Sequence, residues 1–160
     1  MATTWLIRND TLDQELEDQG FVSLGWDDVP DLTTIESGHS DLVELLRQQD
    51  PEATPQQLGS WAGTLHRFYS KMQEGDIVVA PHGNGAFLRV GTVTGPYSYV
   101  PDAPSHRHRR PVRWGATRVD RDHLPNQVKG GLRNISTLSR INRGNELFAE
   151  LASAPHGSGM

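Results

Sequence analysis

The hydrophobic period of this chain changes sharply at Gly75-Asp76. Before that point Leu58, Trp61, Leu65, Phe68 and Met72 recur at three- and four-residue steps, which places them on one face of an α-helix. Thr54 stands at the cap, Pro55 suits the first helical position and Gln57 completes a capping box, so a helix is expected over 55–73 with Trp61 in the core. After that point residues 77–80 and 86–94 are strand-like. The His82-Gly83-Asn84-Gly85 segment between them has the residues a tight hairpin turn demands. A chain that obeys both periods is neither all-helical nor all-β.

The remaining segments fill out the same picture. Residues 4–8 (TWLIR) and 21–26 (FVSLGW) read as strands around a short helix that starts at Thr11, has Gln14 at the capping-box position and stops at Gly20. Ser40 caps a second helix over 40–49, with Leu42, Leu45 and Leu46 on its apolar face. Gly95-Pro96 opens a loop carrying Tyr97 and Tyr99. Residues 111–119 and 135–141 then read as strands, and a helix over 144–152 has Asn142 as its cap. Strands, inserted helices and then consecutive strands predict an α+β class, with a mainly antiparallel, barrel-like sheet flanked by helices. At 160 residues the chain suits one core, expected over 1–152, with 153–160 as a linker or terminal tail.

Composition narrows the chemistry. The chain has no cysteine, which rules out a disulfide, a thiolate metal site and a cysteine nucleophile. No apolar run approaches the length of a membrane span and the first ten residues do not resemble a signal peptide, so a cytoplasmic protein is expected. The two histidines of the His-Arg-His-Arg-Arg run, residues 106–110, lack an evident third ligand and sit among guanidinium groups, so no metal is expected there. Asp120 and Asp122 flank Arg121 near His123 without the spaced partners of a nuclease core. Ser60 and Ser105 lack a nucleophile-elbow context. No helix follows Gly83 and Gly85 to make a phosphate-binding glycine loop. The expectation is a binding domain with no cofactor and no catalytic set.

The charge is distributed unevenly. Net charge is -5, yet residues 1–60 hold only Arg8 and Arg47 against thirteen acids, whereas residues 101–143 hold ten Lys or Arg against three acids. Such asymmetry suits an anionic partner, and it equally suits two halves that neutralise each other. Arg8, Arg107, Arg109, Arg110, Arg113, Lys129, Arg133 and Asn134 are the candidate contacts to a nucleic-acid backbone. Trp26 ends a strand just before Asp27-Asp28, and Tyr97 and Tyr99 lie in a loop before the basic run. Aromatics beside cations are the parts of a stacking pocket for a flipped base, and they are equally the plug of a barrel mouth.

The order of these segments resembles a known family. WLIR, an amphipathic helix and LGW with its acidic loop are followed by GDIVVA, VGTVTGPYSYVPD, HRHRRPVRW and LRNISTLSRI. Together they are similar to the amino-terminal domain of Mrr-like restriction endonucleases, over residues 5–151. That domain belongs to the YTH, EVE and PUA-like group of small β-barrels that read modified bases. The resemblance implies that Trp26 is one wall of the base cage, with Asn9, Asp10 and Asp27 bonding the base edge and Tyr97 or Tyr99 on the opposing side, where YTH proteins carry a tryptophan. It implies a structural role for Trp114, double-stranded DNA with a modified base as partner, and a separate nuclease domain targeted by this reader. Rival readings are a reader of modified single-stranded RNA or of a nucleotide-derived signal, a small PUA-like nucleoside hydrolase using Asp10, Asp27 or His123, and a protein-interaction module.

Overall fold

A computed structural model describes residues 2–8, 13–35, 39–134 and 136–159. The strands are β1 (Thr4–Ile7), β2 (Phe21–Leu24), β3 (Ile77–His82), β4 (Phe87–Val93), β5 (Ser98–Tyr99), β6 (His108–Trp114), β7 (Val119–Asp120) and β8 (Leu138–Ile141). The α-helices are α1 (Asp13–Gln19), α2 (His39–Gln49), α3 (Pro55–His66), α4 (Asn126–Gly131) and α5 (Asn145–Ser153). The class is α+β, with a curled sheet forming a half-barrel flanked by helices. Strand order is β2-β6-β4-β3-β1-β8, with β5 beside β6 and β7 beside β4.

Most strand pairings among the described residues are antiparallel, as expected, and one parallel pair makes the sheet mixed. β1 runs parallel to β3, from Thr4↔Ile77 to Leu6↔Val79, and antiparallel to β8. All four β1 residues are buried, in keeping with a strand that has neighbours on both edges and the apolar run Trp5-Leu6-Ile7. The β3–β4 hairpin forms as predicted. Gly83, Asn84 and Gly85 all have positive φ, at 58, 58 and 84°, and Gly85 N donates to His82 O at 3.0 Å.

The chain divides into two compact units: Met1–Val22, Gln73–Gly95 and Arg110–Met160 form unit 1, and Ser23–Met72 with Pro96–Arg109 forms unit 2. In unit 1 the core gathers Leu6, Val79, Leu88 and Val90 from the strands with Phe148, Leu151 and Ala152 of α5. α5 is preceded by Gly144 at φ 78° and has no side-chain cap, so Asn142 does not play the expected part. The buried carboxylate of Asp76 accepts from Thr3 N, Trp5 Nε1 and Gln73 N at 2.9–3.0 Å. The expected tail is bonded in place, with Gly157 N donating to Gly115 O and Thr117 N to Ser158 O, both at 3.1 Å.

In unit 2, α3 opens with the full capping box of Thr54 and Gln57. The α-helix ends at His66, and residues 67–71 continue as a π-helix instead of the expected α-turns. Leu58, Leu65, Phe68 and Met72 are buried as predicted, whereas Trp61 is only half-buried. The strand expected over 111–119 instead begins at His108 and ends at Trp114, because His108 and Arg110 continue the buried parity of Val112 and Trp114. α4 was not anticipated from sequence. Among the described residues no helix is long and apolar enough to cross a membrane.

Candidate functional site

Trp26 is the unusual residue of unit 2. β2 is buried throughout, and the chain leaves it through Gly25 to a half-buried Trp26 with φ of 53°. A bulky side chain in the left-handed region is rare, because such strain costs about 1–3 kcal/mol and persists only where neighbouring bonds impose it. Here the Trp26 carbonyl accepts from Val29 N at 2.9 Å and from His108 Nε2 at 3.1 Å.

The second bond fixes a buried relay. A carbonyl only accepts, so Nε2 of His108 carries the proton and Nδ1 is left as the acceptor. Tyr97 Oη donates to that Nδ1 at 2.6 Å and itself accepts from Leu32 N at 3.1 Å. Burial holds the His108 pKa below the usual imidazole value, against the opposing bond to Trp26 and the charge of Asp27. Burial likewise raises the Tyr97 hydroxyl well above the ordinary phenol range. The relay is therefore neutral, and it holds Trp26 by its backbone while the indole stays half-exposed. Tyr69 and Phe68 meet the Tyr97 ring edge-on, at 5.2 and 6.4 Å between centroids.

Several expected roles change in light of this packing. Tyr97 is buried and committed to His108, so it is not an open wall; Tyr99 is half-buried, 5.3 Å from the His108 ring. Asp27 accepts from Arg107 N at 3.3 Å, and the Arg107 guanidinium donates to the carbonyls of Asp27 and Ala103. Arg109 donates through Nε to the carbonyl of His106, which is another left-handed residue at φ 54° whose Nδ1 lies 3.0 Å from Ser23 Oγ. Burial lowers the pKa of His106, with Asp27 opposing. Arg110 is buried in unit 1, its charge offset by Asp76, and cannot meet a phosphate at the surface.

The other candidates lie in unit 1. Arg113, Arg133 and Asn134 are exposed and Lys129 is half-buried. Arg8 donates to the carbonyls of Leu132 and Asn134, tying down the segment after α4. Asn9 and Asp10 lie outside the described residues. Trp114 is buried and donates through Nε1 to Leu16 O. Among the described residues no group of three or more His, Asp or Glu could hold a metal ion. The sequence reading missed His108, whose signal was its even spacing from Val112 and Trp114. It also missed His82 and Arg121, which face a cavity described below.

Fold and site together define a small α+β domain with a half-buried, backbone-tethered tryptophan followed by an aspartate that Arg107 engages. The chain belongs to the family described as Domain of unknown function (DUF8426), which matches residues 4–142. No curated protein matches the chain. Among solved structures it is similar to the crystal structure of protein Atu2648 from Agrobacterium tumefaciens, at 14% identity and a TM-score of 0.44, covering 98% of this chain and 99% of that one.

Proposed function

We propose that this chain is a binding domain, of PUA-like fold and YTH/EVE type, that reads a modified and most plainly a methylated base in double-stranded DNA. In this reading it targets a separate nuclease domain in the manner of Mrr-like restriction systems, within the cytoplasm. The observation that carries the reading is Trp26, a half-exposed indole in a strained conformation that three neighbouring groups hold in place. Packing alone gives no reason to maintain such strain beside solvent, whereas a stacking platform needs a rigid aromatic face. Tyr99 remains a candidate second aromatic. Arg107 and Arg109, in the unit that carries Trp26, supply cations for the backbone, and unit 1 by itself offers Arg113, Lys129 and Arg133.

The test is a binding titration over duplex oligonucleotides that differ only in carrying 5-methylcytosine, 5-hydroxymethylcytosine, 6-methyladenine or no mark. One marked duplex should bind at least about tenfold more tightly than the unmarked one, above a background that weakens steeply with salt. Equal affinity for every duplex, or tighter binding to methylated single-stranded RNA, would replace this reading, and turnover of a free methylated nucleoside would replace it with an enzyme.

A further inference from the structure

Unit 1 carries a second polar site, built without Trp26. A cavity of about 520 Å³ is lined by Arg8, His82, Arg121 and the Gly83-Asn84-Gly85 turn. Three successive left-handed residues bring neighbouring amides to one side of a turn, an arrangement that forms anion-binding concavities. Gly85 N and Ala86 N are used within the turn. Among the described residues nothing accepts from Gly83 N or Asn84 N.

Charge points the same way. Arg8 and Arg121 both donate through Nη2 to the single carbonyl of Leu132, at 3.1 and 3.2 Å, which sets two guanidinium groups side by side. An anion in the cavity would meet both groups. The nearby Asp120 is engaged elsewhere: its Oδ1 accepts from Asp122 N at 3.0 Å and its Oδ2 lies 3.9 Å from His123 Nε2. His82 donates Nε2–H to Thr117 O at 2.8 Å, which holds its ring at the cavity wall. Gly85, at φ 84°, holds the turn beside Arg121, whose Nη1 lies 3.6 Å from where a Cβ at that residue would stand.

We infer that this cavity binds a phosphate group, neutralised by Arg8 and Arg121 and bonded by the amides of Gly83 and Asn84. Its volume exceeds that of one phosphate and falls in the range of small-molecule sites, so the phosphate is one carried on a larger organic group, such as a nucleotide, free or within a strand.

The experiment is an amide-resolved NMR titration of the whole chain with inorganic phosphate, a nucleoside 5′-monophosphate, the same nucleoside and a single-stranded oligonucleotide. Phosphate and mononucleotide should shift the Gly83 and Asn84 amides and the nucleoside should not. A tighter response to the oligonucleotide at the same amides would assign the phosphate to a strand, and a weaker one to a free nucleotide. Arg121→Gln should weaken mononucleotide binding about tenfold or more, and Arg121→Lys should retain most of it. Unmoved Gly83 and Asn84 amides, or equal binding of nucleoside and mononucleotide, would overturn the inference without any variant; so would wild-type affinity in a folded Arg121→Gln protein. This site is read by the Gly83 and Asn84 amides with inorganic phosphate, and base reading by duplex preference, so failure of one is distinguishable from failure of the other.

Discussion

At the scale of the residue, Trp26 allows packing and ligand binding to be told apart. Truncating a core tryptophan costs about 3–5 kcal/mol, whereas this one is half-exposed and should lose less. Its φ of 53° adds a second prediction, because the left-handed conformation costs an L-residue about 1–2 kcal/mol and glycine almost nothing. Trp26→Gly should therefore melt no lower than Trp26→Ala. Both variants should lose about one to two decades of preference for the marked duplex, the cost of about 1–3 kcal/mol for one stacked base. A pair of variants that melt far below the wild type yet still discriminate the mark would make Trp26 a packing residue. His108 acts through Trp26 and is a positioning residue, masked in the sequence by its place in a basic run although its spacing from Val112 and Trp114 marks it as buried. Its burial becomes intelligible only once both ring nitrogens are seen to be bonded.

At the scale of the element, what was legible depended on how local the cause is. The capping box of Thr54 and Gln57 and the turn at residues 82–85 are set by a few adjacent residues, and both form as the sequence predicts. The parallel pairing of β1 with β3 joins residues about seventy positions apart, and no local pattern encodes it. β6 was misplaced because buried His and Arg defeat a hydrophobicity pattern, although the alternation itself was there to be read. α4 is too short for a helical period, yet its buried Val128 and the following Leu132 stand four apart. Gly115 shows what an element junction needs. A Cβ there would meet the carbonyl oxygens of Leu151, at 2.5 Å, and of Ala152, both in the last turns of α5, while Ala116 N donates to Leu151 O. Because the obstacle is backbone, α5 must shift. Gly115→Ala should cost about 1–3 kcal/mol, seen as a melting temperature lower by several degrees; an unchanged melting curve would mean that α5 moves freely against this segment.

At the scale of the whole molecule, the uneven charge of the sequence translates only partly into surface. Of the ten cations in residues 101–143, Arg110 is buried near Asp76 and is lost to a polyanion, whereas Arg118 and Arg140 lie over the Phe87 and Trp5 rings and stay exposed. The histidines give a sharper global prediction. Burial lowers the pKa of His108, His106 and His66, and all three belong to unit 2. A histidine whose folded pKa lies below its unfolded value of about 6.5 binds its proton more readily in the unfolded chain. Its contribution is complete above that pH and is lost as pH falls below it toward the folded pKa. Stability should therefore be level near neutrality and decline from about pH 6.5 downward, before most carboxylates titrate. Protonation of His108 would also force Nδ1–H against the Tyr97 hydroxyl hydrogen, so this residue should carry much of the slope. In His108→Gln the amide retains one donor and one acceptor but no longer titrates, and the decline between about pH 6.5 and 5 should become shallower. Denaturant unfolding at several pH values measures it: an identical acid slope in wild type and variant, or stability that rises on acidification, would show that the relay is not held neutral by burial.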